Sequence, residues 1–361
     1  MIVGMCRTNV IERALNAEIS AGRMPGAVVG ILRGGETVYL EAFGYRDPVA
    51  RTPMTTDTLF WLASMTKPMV TAGALKLYER GLLILDTPIG ELLPALADRQ
   101  VGGAPAHRQP TVLDLLRHTS GMVEGMLGSS PVHELYTEAI GDGMTSFTGE
   151  EFVERLAPLP LLHQPGEVWH YGWGLDLVGQ IIEGIVGRRL GDYLREQVFE
   201  PAGMNDTAFG VSDESRYARA LDPTAIPDLS RARFDSGGAG LVGTAPDYLR
   251  FIGALLGYGE LLHRKTREFM TTDQLPPGTD ESWLRRMEPG YGFGLGVAVR
   301  RGVAGGPTAG SPGEFTWAGA GGTYWWADPA EDLGVVFLTH APDQTRRYFP
   351  LIRALVLQSL D

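Results

Sequence analysis

Apolar side chains recur three and four positions apart through residues 9–22 (NVIERALNAEISAG), and the pattern stops at a glycine, which predicts an amphipathic helix. Two apolar, β-branched runs follow, AVVGILR (27–33) and ETVYLEAFGYRD (36–47), on either side of Gly34-Gly35. Strand-like runs around a Gly-Gly pair predict a β-hairpin. Residues 64–81 (SMTKPMVTAGALKLYERG) return to helical spacing, with small residues on one face and Gly81 placed to end the helix. From about 86 to 225 strand signals thin out. TVLDLLRHTSGM, GEEFVERLAPL, LDLVGQIIEGIVG and RLGDYLREQVFEPAGM all read as helices with Gly or Pro stops. Beyond about 236 the pattern is mixed. PDYLRFIGALLGYG and RKTREFMT are helical, YGFGLGVAVR, EFTWAG, GTYWWADP and DLGVVFLTH read as consecutive strands, and FPLIRALVLQSL closes the chain as a helix.

Strands at both ends and helices between them favour an α+β fold over an alternating parallel one. The expected division is an α/β body with an antiparallel sheet, from residues 1–85 and 226–361, and a mostly helical domain over residues 86–225. The active site is expected at their interface.

Composition narrows the function classes. The 361 residues carry 31 Lys+Arg against 43 Asp+Glu, a formal net charge of −12. That balance argues against a nucleic-acid or anionic membrane surface, which is bound by clustered positive charge. Gly and Pro together supply 48 and 24 residues, a turn-rich composition. The single cysteine, Cys6, excludes an intrachain disulfide or a multi-thiolate metal site and reads as a bystander. The N-terminal apolar stretch ends at Arg7, too soon for a secretory signal, and no apolar run has the length of a membrane helix. The expected location is the cytoplasm.

The sharpest chemical signal is Ser64-Met65-Thr66-Lys67. The chain has three lysines against 28 arginines. On a helix beginning near Ser64, residues three apart share a face. A serine hydroxyl needs a neighbouring base to become a nucleophile. A lysine taken out of water can serve, whereas arginine keeps its charge. Pro68 suits a first helical turn, and the helix dipole favours a developing oxyanion. A plain helix cap beside a solvated lysine is the alternative. A second signal is the aromatic, turn-rich stretch Pro165–Gly174, where Tyr171 beside Lys67 would make a proton-accepting pair. A third is Phe315–Gly322, a strand running into small residues, where a backbone N–H together with that of Ser64 would form an oxyanion hole. Core packing and an ordinary Gly-rich hairpin are the bland readings of these two. Competing chemistries fare worse: there is no Gly-x-Ser-x-Gly, no His-Glu-x-x-His, no Walker loop and no complete dinucleotide fingerprint. His118 reads as a structural hydrogen-bonder.

In this order the motifs resemble the serine β-lactamase and penicillin-binding-protein superfamily, and within it the family VIII carboxylesterases, relatives of class C β-lactamases. The resemblance runs through RMPGAVVGILRGGETVY, AFGYRD, WLASMTKP, LLRHTSGM, PGEVWHYGWGLDLVGQIIEGIVG, LREQVFEPAGMNDTAFG, SGGAGLVGTAPDYLRF and WAGAGGTYWWADP. It implies a β-lactamase/transpeptidase-like fold, with Ser64 as the acylated nucleophile, Lys67 as its partner base and Tyr171 as the tyrosine of the Tyr-x-Asn motif. It also implies that Trp317-Ala318-Gly319 replaces the Lys-Thr-Gly strand motif and that the backbone N–H groups of Ser64 and Ala320 form the oxyanion hole. Two departures matter. Trp173 stands where Asn is usual, and Trp317 where lactamases have the Lys that meets a β-lactam carboxylate. Both make the pocket more apolar and favour a neutral ester, and the resemblance implies a short acyl chain. Trp173, Trp317, Gly319 and Trp325 are the expected pocket residues. The implied partner is a small-molecule ester, with no cofactor and no metal. The alternatives are a β-lactamase, D-amino-acid peptidase or acyltransferase of the same fold, and a non-catalytic binding or scaffold protein.

Overall fold

A computed structural model of the protein describes residues 9–141 and 147–360. Cys6 lies outside the described residues. The helix α1 (Asn9–Ser20) leads into β1 (Gly26–Arg33) and β2 (Glu36–Asp47), and Gly34 and Gly35 make the turn between them with φ of +61° and +78°. Positive φ at both central residues is what a two-residue hairpin with right-handed strand twist requires. After the short β3 (Thr52–Pro53), the sheet is completed from the far end of the chain. Its remaining strands are β4 (Tyr291–Phe293), β5 (Ala298–Arg300), β6 (Phe315–Ala318), β7 (Tyr324–Asp328) and β8 (Leu333–Leu338).

The spatial order is β3-β2-β1-β8-β7-β6-β5-β4, antiparallel throughout. The two ends of the chain meet at β1 and β8, where Val28 lies opposite Leu338 and Ile31 opposite Val335. YGFGLGVAVR is not one strand. It breaks into β4 and β5 at a tight turn where the Gly294 N–H donates to the Val297 carbonyl at 2.8 Å and Gly296 takes φ +70°.

Both faces of the sheet are covered, which explains why β8 is apolar at every position rather than alternating. Val336 and Leu338 join the inner core with α2 (Thr66–Glu79) and α4 (Ala245–Leu256). Leu333, Val335 and Phe337 join the outer core with α1 and the closing helix α5 (Thr345–Leu360). Gly30 lets α4 come close: a Cβ there would lie 2.7 Å from Leu249.

Among the described residues, no strand of this sheet falls between 86 and 225. That stretch holds short helices and α3 (Gly174–Val186). It is nonetheless continuous with the body, since one apolar cluster runs from Val28 and Trp325 through Met69 and Val70 to Leu115, Phe152 and Leu177. No helix among the described residues is long and apolar enough to cross a membrane.

Candidate active site

The segment that carries Ser64 is fixed before any catalytic group is considered. Phe60–Trp61 pairs with Leu241–Gly243, which pairs in turn with Ala208–Phe209. The chain then bends through Ala63, a non-glycine residue at φ +47°, into the single turn Ala63–Met65 that precedes α2. That conformation costs about 1 kcal/mol or more and persists only where its surroundings enforce it. Here they do. The Trp61 N–H donates to His340 Nε2 at 3.1 Å, the Leu62 N–H to the Leu241 carbonyl at 2.9 Å, Thr323 Oγ1 to the Leu62 carbonyl at 3.2 Å and the Tyr248 hydroxyl to the Met65 carbonyl at 3.0 Å. His340 can accept because burial pushes its pKa down to about 4, so the neutral ring keeps its proton on Nδ1, against the Ala218 carbonyl.

One helical turn beyond Ser64, Lys67 donates from Nζ to the Ser64 Oγ at 3.1 Å and to the Gly238 carbonyl at 2.7 Å. The Tyr171 hydroxyl donates to the same Oγ at 2.7 Å, and Nζ stands 4.6 Å from the centre of its ring. Lys67 and Tyr171 are 4% and 5% exposed, so little water competes for these contacts. The segment carrying Tyr171 is pressed onto neighbouring backbone. A Cβ at Gly172 would meet the Met122 carbonyl oxygen at 2.6 Å, and one at Gly174 the Leu115 carbonyl oxygen at 2.6 Å. Behind the phenol lies His118, its ring centre 4.5 Å away. Burial holds this imidazole well below its usual pKa, with Lys67 and His170 adding to the effect. Its Nε2 has no hydrogen-bond partner among the described residues. His118 therefore packs against Tyr171 instead of bonding through that atom.

Ser64 and Lys67 line a cavity of about 350 Å³ together with Trp61, Glu124, Trp173 and Ala320. Ala320 sits at the exposed tip of the β6–β7 turn. The Gly319 N–H is occupied by the Thr323 carbonyl at 2.8 Å, whereas the Ala320 N–H has no backbone partner among the described residues. Two N–H groups, from Ser64 and Ala320, are thus carried by residues on one cavity wall.

The pocket residues expected from sequence divide. Trp173 lines the cavity. Trp317 does not: it is 3% exposed, packed at 5.2 Å from Phe293 and 5.5 Å from Tyr171, and its Nε1 donates to the Tyr171 hydroxyl at 3.4 Å. Trp325 is wholly buried against Tyr248, Phe251 and Phe315, a core residue with no face on the cavity. It lies directly opposite Trp317 in the sheet, but α4 covers it. Gly319 contributes by having no side chain, since a Cβ there would overlap Thr323 Oγ1 and the Leu62 carbonyl oxygen.

Two acidic residues went unnoticed in the sequence. Asp176, in the first turn of α3, accepts from Ser236 Oγ at 2.5 Å and from the Gly238 N–H at 3.1 Å, fixing the loop whose carbonyl holds Lys67. A Cβ at Gly238 would overlap that carboxylate. Burial raises the Asp176 pKa, while Lys67 and these hydrogen bonds oppose the rise. Glu124, whose N–H donates to the Tyr171 carbonyl at 3.4 Å, lines the cavity. SGGAG at 236–240 was a visible motif for the Lys67 anchor; nothing local marked Glu124. Among the described residues, no group of three or more His, Cys, Asp or Glu side chains is placed to hold a metal ion.

Comparisons with known proteins place the whole chain in a family. The Beta-lactamase family model matches residues 11–358. The uncharacterized protein MT1414 of Mycobacterium tuberculosis is 36% identical over 375 residues, covering 92% of this chain and 90% of that protein. Esterase EstB of Burkholderia gladioli is 32% identical over 359 residues, covering 91% of this chain and 89% of that protein. Among solved structures, EstCE1, a hydrolase with promiscuous acyltransferase activity, superposes with a TM-score of 0.89 at 28% identity, over 99% of this chain and 100% of that one. The match extends from α1 to α5, and on that ground the chain belongs to the beta-lactamase family, on the branch that holds the family VIII esterases.

Proposed function

We propose that this protein is a serine esterase that hydrolyses carboxylic esters, of short acyl chain, through an acyl-enzyme on Ser64. The observation that carries the reading is the convergence of Lys67 Nζ and the Tyr171 hydroxyl on one serine oxygen at a cavity wall. The 2.7 Å line between the two hydroxyls serves proton transfer in either direction, because each O–H can rotate to donate or accept. In acylation the Ser64 Oγ bonds to the ester carbonyl carbon, and its proton passes to the Tyr171–Lys67 pair. The carbonyl oxygen becomes an oxyanion facing the N–H groups of Ser64 and Ala320, each such donor being worth about 3 kcal/mol in the transition state. The C–O bond to the alcohol breaks, and the pair returns the proton to the leaving oxygen. Water repeats the sequence on the acyl-enzyme and releases the acid.

The similarity to EstCE1 favours a second outcome at the same intermediate, in which an alcohol replaces water and receives the acyl group. A β-lactamase reading is weaker, because no cation stands at position 317 to meet a lactam carboxylate. The test is hydrolysis of p-nitrophenyl acetate and butyrate, with nitrocefin in parallel. Ester turnover, an added mass of one acyl group on Ser64 under single-turnover conditions, and loss of both in Ser64→Ala are expected. Unchanged turnover in Ser64→Ala rejects the proposal, and nitrocefin turnover faster than ester turnover replaces it with the lactamase reading. Adding a primary alcohol and measuring the new ester against free acid reads the acyl-transfer branch.

A further inference from the structure

The chemistry of the cavity wall outside the reacting groups is uneven. Two tryptophans, Trp61 and Trp173, line the same cavity as Glu124. The Glu124 carboxylate has no hydrogen-bond or ion-pair partner among the described residues, in contrast to the neighbouring Asp176, whose carboxylate is occupied by Ser236 and Gly238. Lys67 is the sole cationic side chain on this wall among the described residues, and its donors already serve Ser64 and Gly238. Burial raises the Glu124 pKa, Lys67 opposes the rise and Asp176 reinforces it. A second positive charge beside this carboxyl would therefore favour its ionised form. Aromatic faces and an unpaired carboxylate in one partly dry cavity are the elements that recognise an alkylammonium head, the rings through their quadrupoles and the carboxylate through its charge. The net charge of −12 acts in the same direction at long range, drawing in cations and repelling anions.

Building on the esterase reading of this site, we propose that it selects esters carrying a quaternary or protonated ammonium group away from the scissile carbonyl, held by Glu124, Trp61 and Trp173, and disfavours esters carrying a carboxylate there. Glu124 is a specificity-determining residue in this assignment and takes no part in bond making.

Matched p-nitrophenyl esters test it. The 4-(trimethylammonio)butanoate and the 5,5-dimethylhexanoate differ by a nitrogen in place of a carbon, and mono-p-nitrophenyl glutarate supplies the anion. At low salt the wild-type kcat/KM ratio of cationic to neutral ester should be about tenfold, the size of a ~1.4 kcal/mol difference, with the glutarate the poorest of the three. In Glu124→Gln the cationic-to-neutral ratio should fall to within about threefold of one. The ratio is the readout whatever the variant does to absolute rates. A wild-type ratio near one, or a ratio that survives in Glu124→Gln, overturns the proposal. Should the variant give no active protein, wild type alone decides through inhibition of neutral-ester hydrolysis: choline should inhibit about tenfold more strongly than its neutral isostere 3,3-dimethylbutan-1-ol, and equal inhibition overturns the proposal. The neutral ester separates the two readings. Its hydrolysis, abolished in Ser64→Ala, upholds the esterase even where Glu124 proves indifferent.

Discussion

Two buried polar clusters lie on the two faces of the same sheet, and they do opposite things with charge. On the outer face, Arg300 and Arg353 share the single carboxylate of Glu314, all three at most 2% exposed. Arg353 also reaches the Tyr324 hydroxyl at 3.1 Å and the Ala309 carbonyl at 3.0 Å, while Arg300 reaches the Thr308 carbonyl at 2.7 Å. Nearby, burial pushes the Glu288 carboxyl up to about 7 against the pull of Arg353. On the inner face, Lys67 has no direct carboxylate partner among the described residues. Its acceptors are a carbonyl and the Ser64 hydroxyl, and the carboxylates of Asp176 and Glu124 stand off from it. The outer cluster is an ion-paired strut joining α5 to the sheet. The inner one holds a buried lysine against a serine hydroxyl beside a cavity. Burial of charge therefore does not by itself mark a reactive site; what distinguishes the inner cluster is a hydroxyl acceptor beside open space, the oxygen to which the proposed mechanism assigns the attack.

Three variants would break or sharpen this contrast. Lys67→Arg keeps a positive charge but removes the group that can give up a proton, so kcat/KM on a p-nitrophenyl ester should fall by about 10³-fold with the melting temperature little changed. An active arginine variant would make Lys67 a charge and nothing more, and would erase the distinction between the clusters. Glu314→Ala leaves two guanidinium groups buried without their carboxylate, at a cost of about 3–5 kcal/mol in denaturant unfolding. Activity per folded molecule should survive, and a large loss of kcat would show that the outer cluster acts on the site through the sheet. Trp317→Phe keeps the aromatic packing on Tyr171 and deletes the N–H that reaches its hydroxyl at 3.4 Å. A bond this long should contribute little, so kcat should fall about threefold with KM unchanged; a change in KM alone would return Trp317 to the substrate pocket.

What was legible in the sequence follows the range of the interactions. The Ser64–Lys67 pairing could be read because i and i+3 meet on any helix, and the β1–β2 hairpin because a two-residue loop needs positive φ and Gly34-Gly35 adopts it at no steric cost. The helix Pro131–Ile140 carries its own local signals, since Ser130 caps it and Pro131 occupies its first position, yet it is absent from the helices expected above. The sequence does not separate Trp317 and Trp325 from pocket walls, because strand alternation gives a residue's face of the sheet but not how far the covering helix extends along that face. Here α4 covers Trp325, and the aromatic cluster around Phe293 encloses Trp317.

The amino-acid sequence by itself determined the helix and strand periods, the small turns, the net negative charge and a serine–lysine pair on one helical turn, since each depends on neighbours within a few residues or on composition alone. Only the tertiary structure decided that Tyr171 reaches Ser64 across 107 positions and Gly238 reaches Lys67 across 171. It also placed Glu124 on the cavity wall and made Trp317 a neighbour of Tyr171 rather than of substrate. Those contacts are fixed by how helices pack on a twisted sheet, a property of the whole chain's buried surface that no short window of residues encodes.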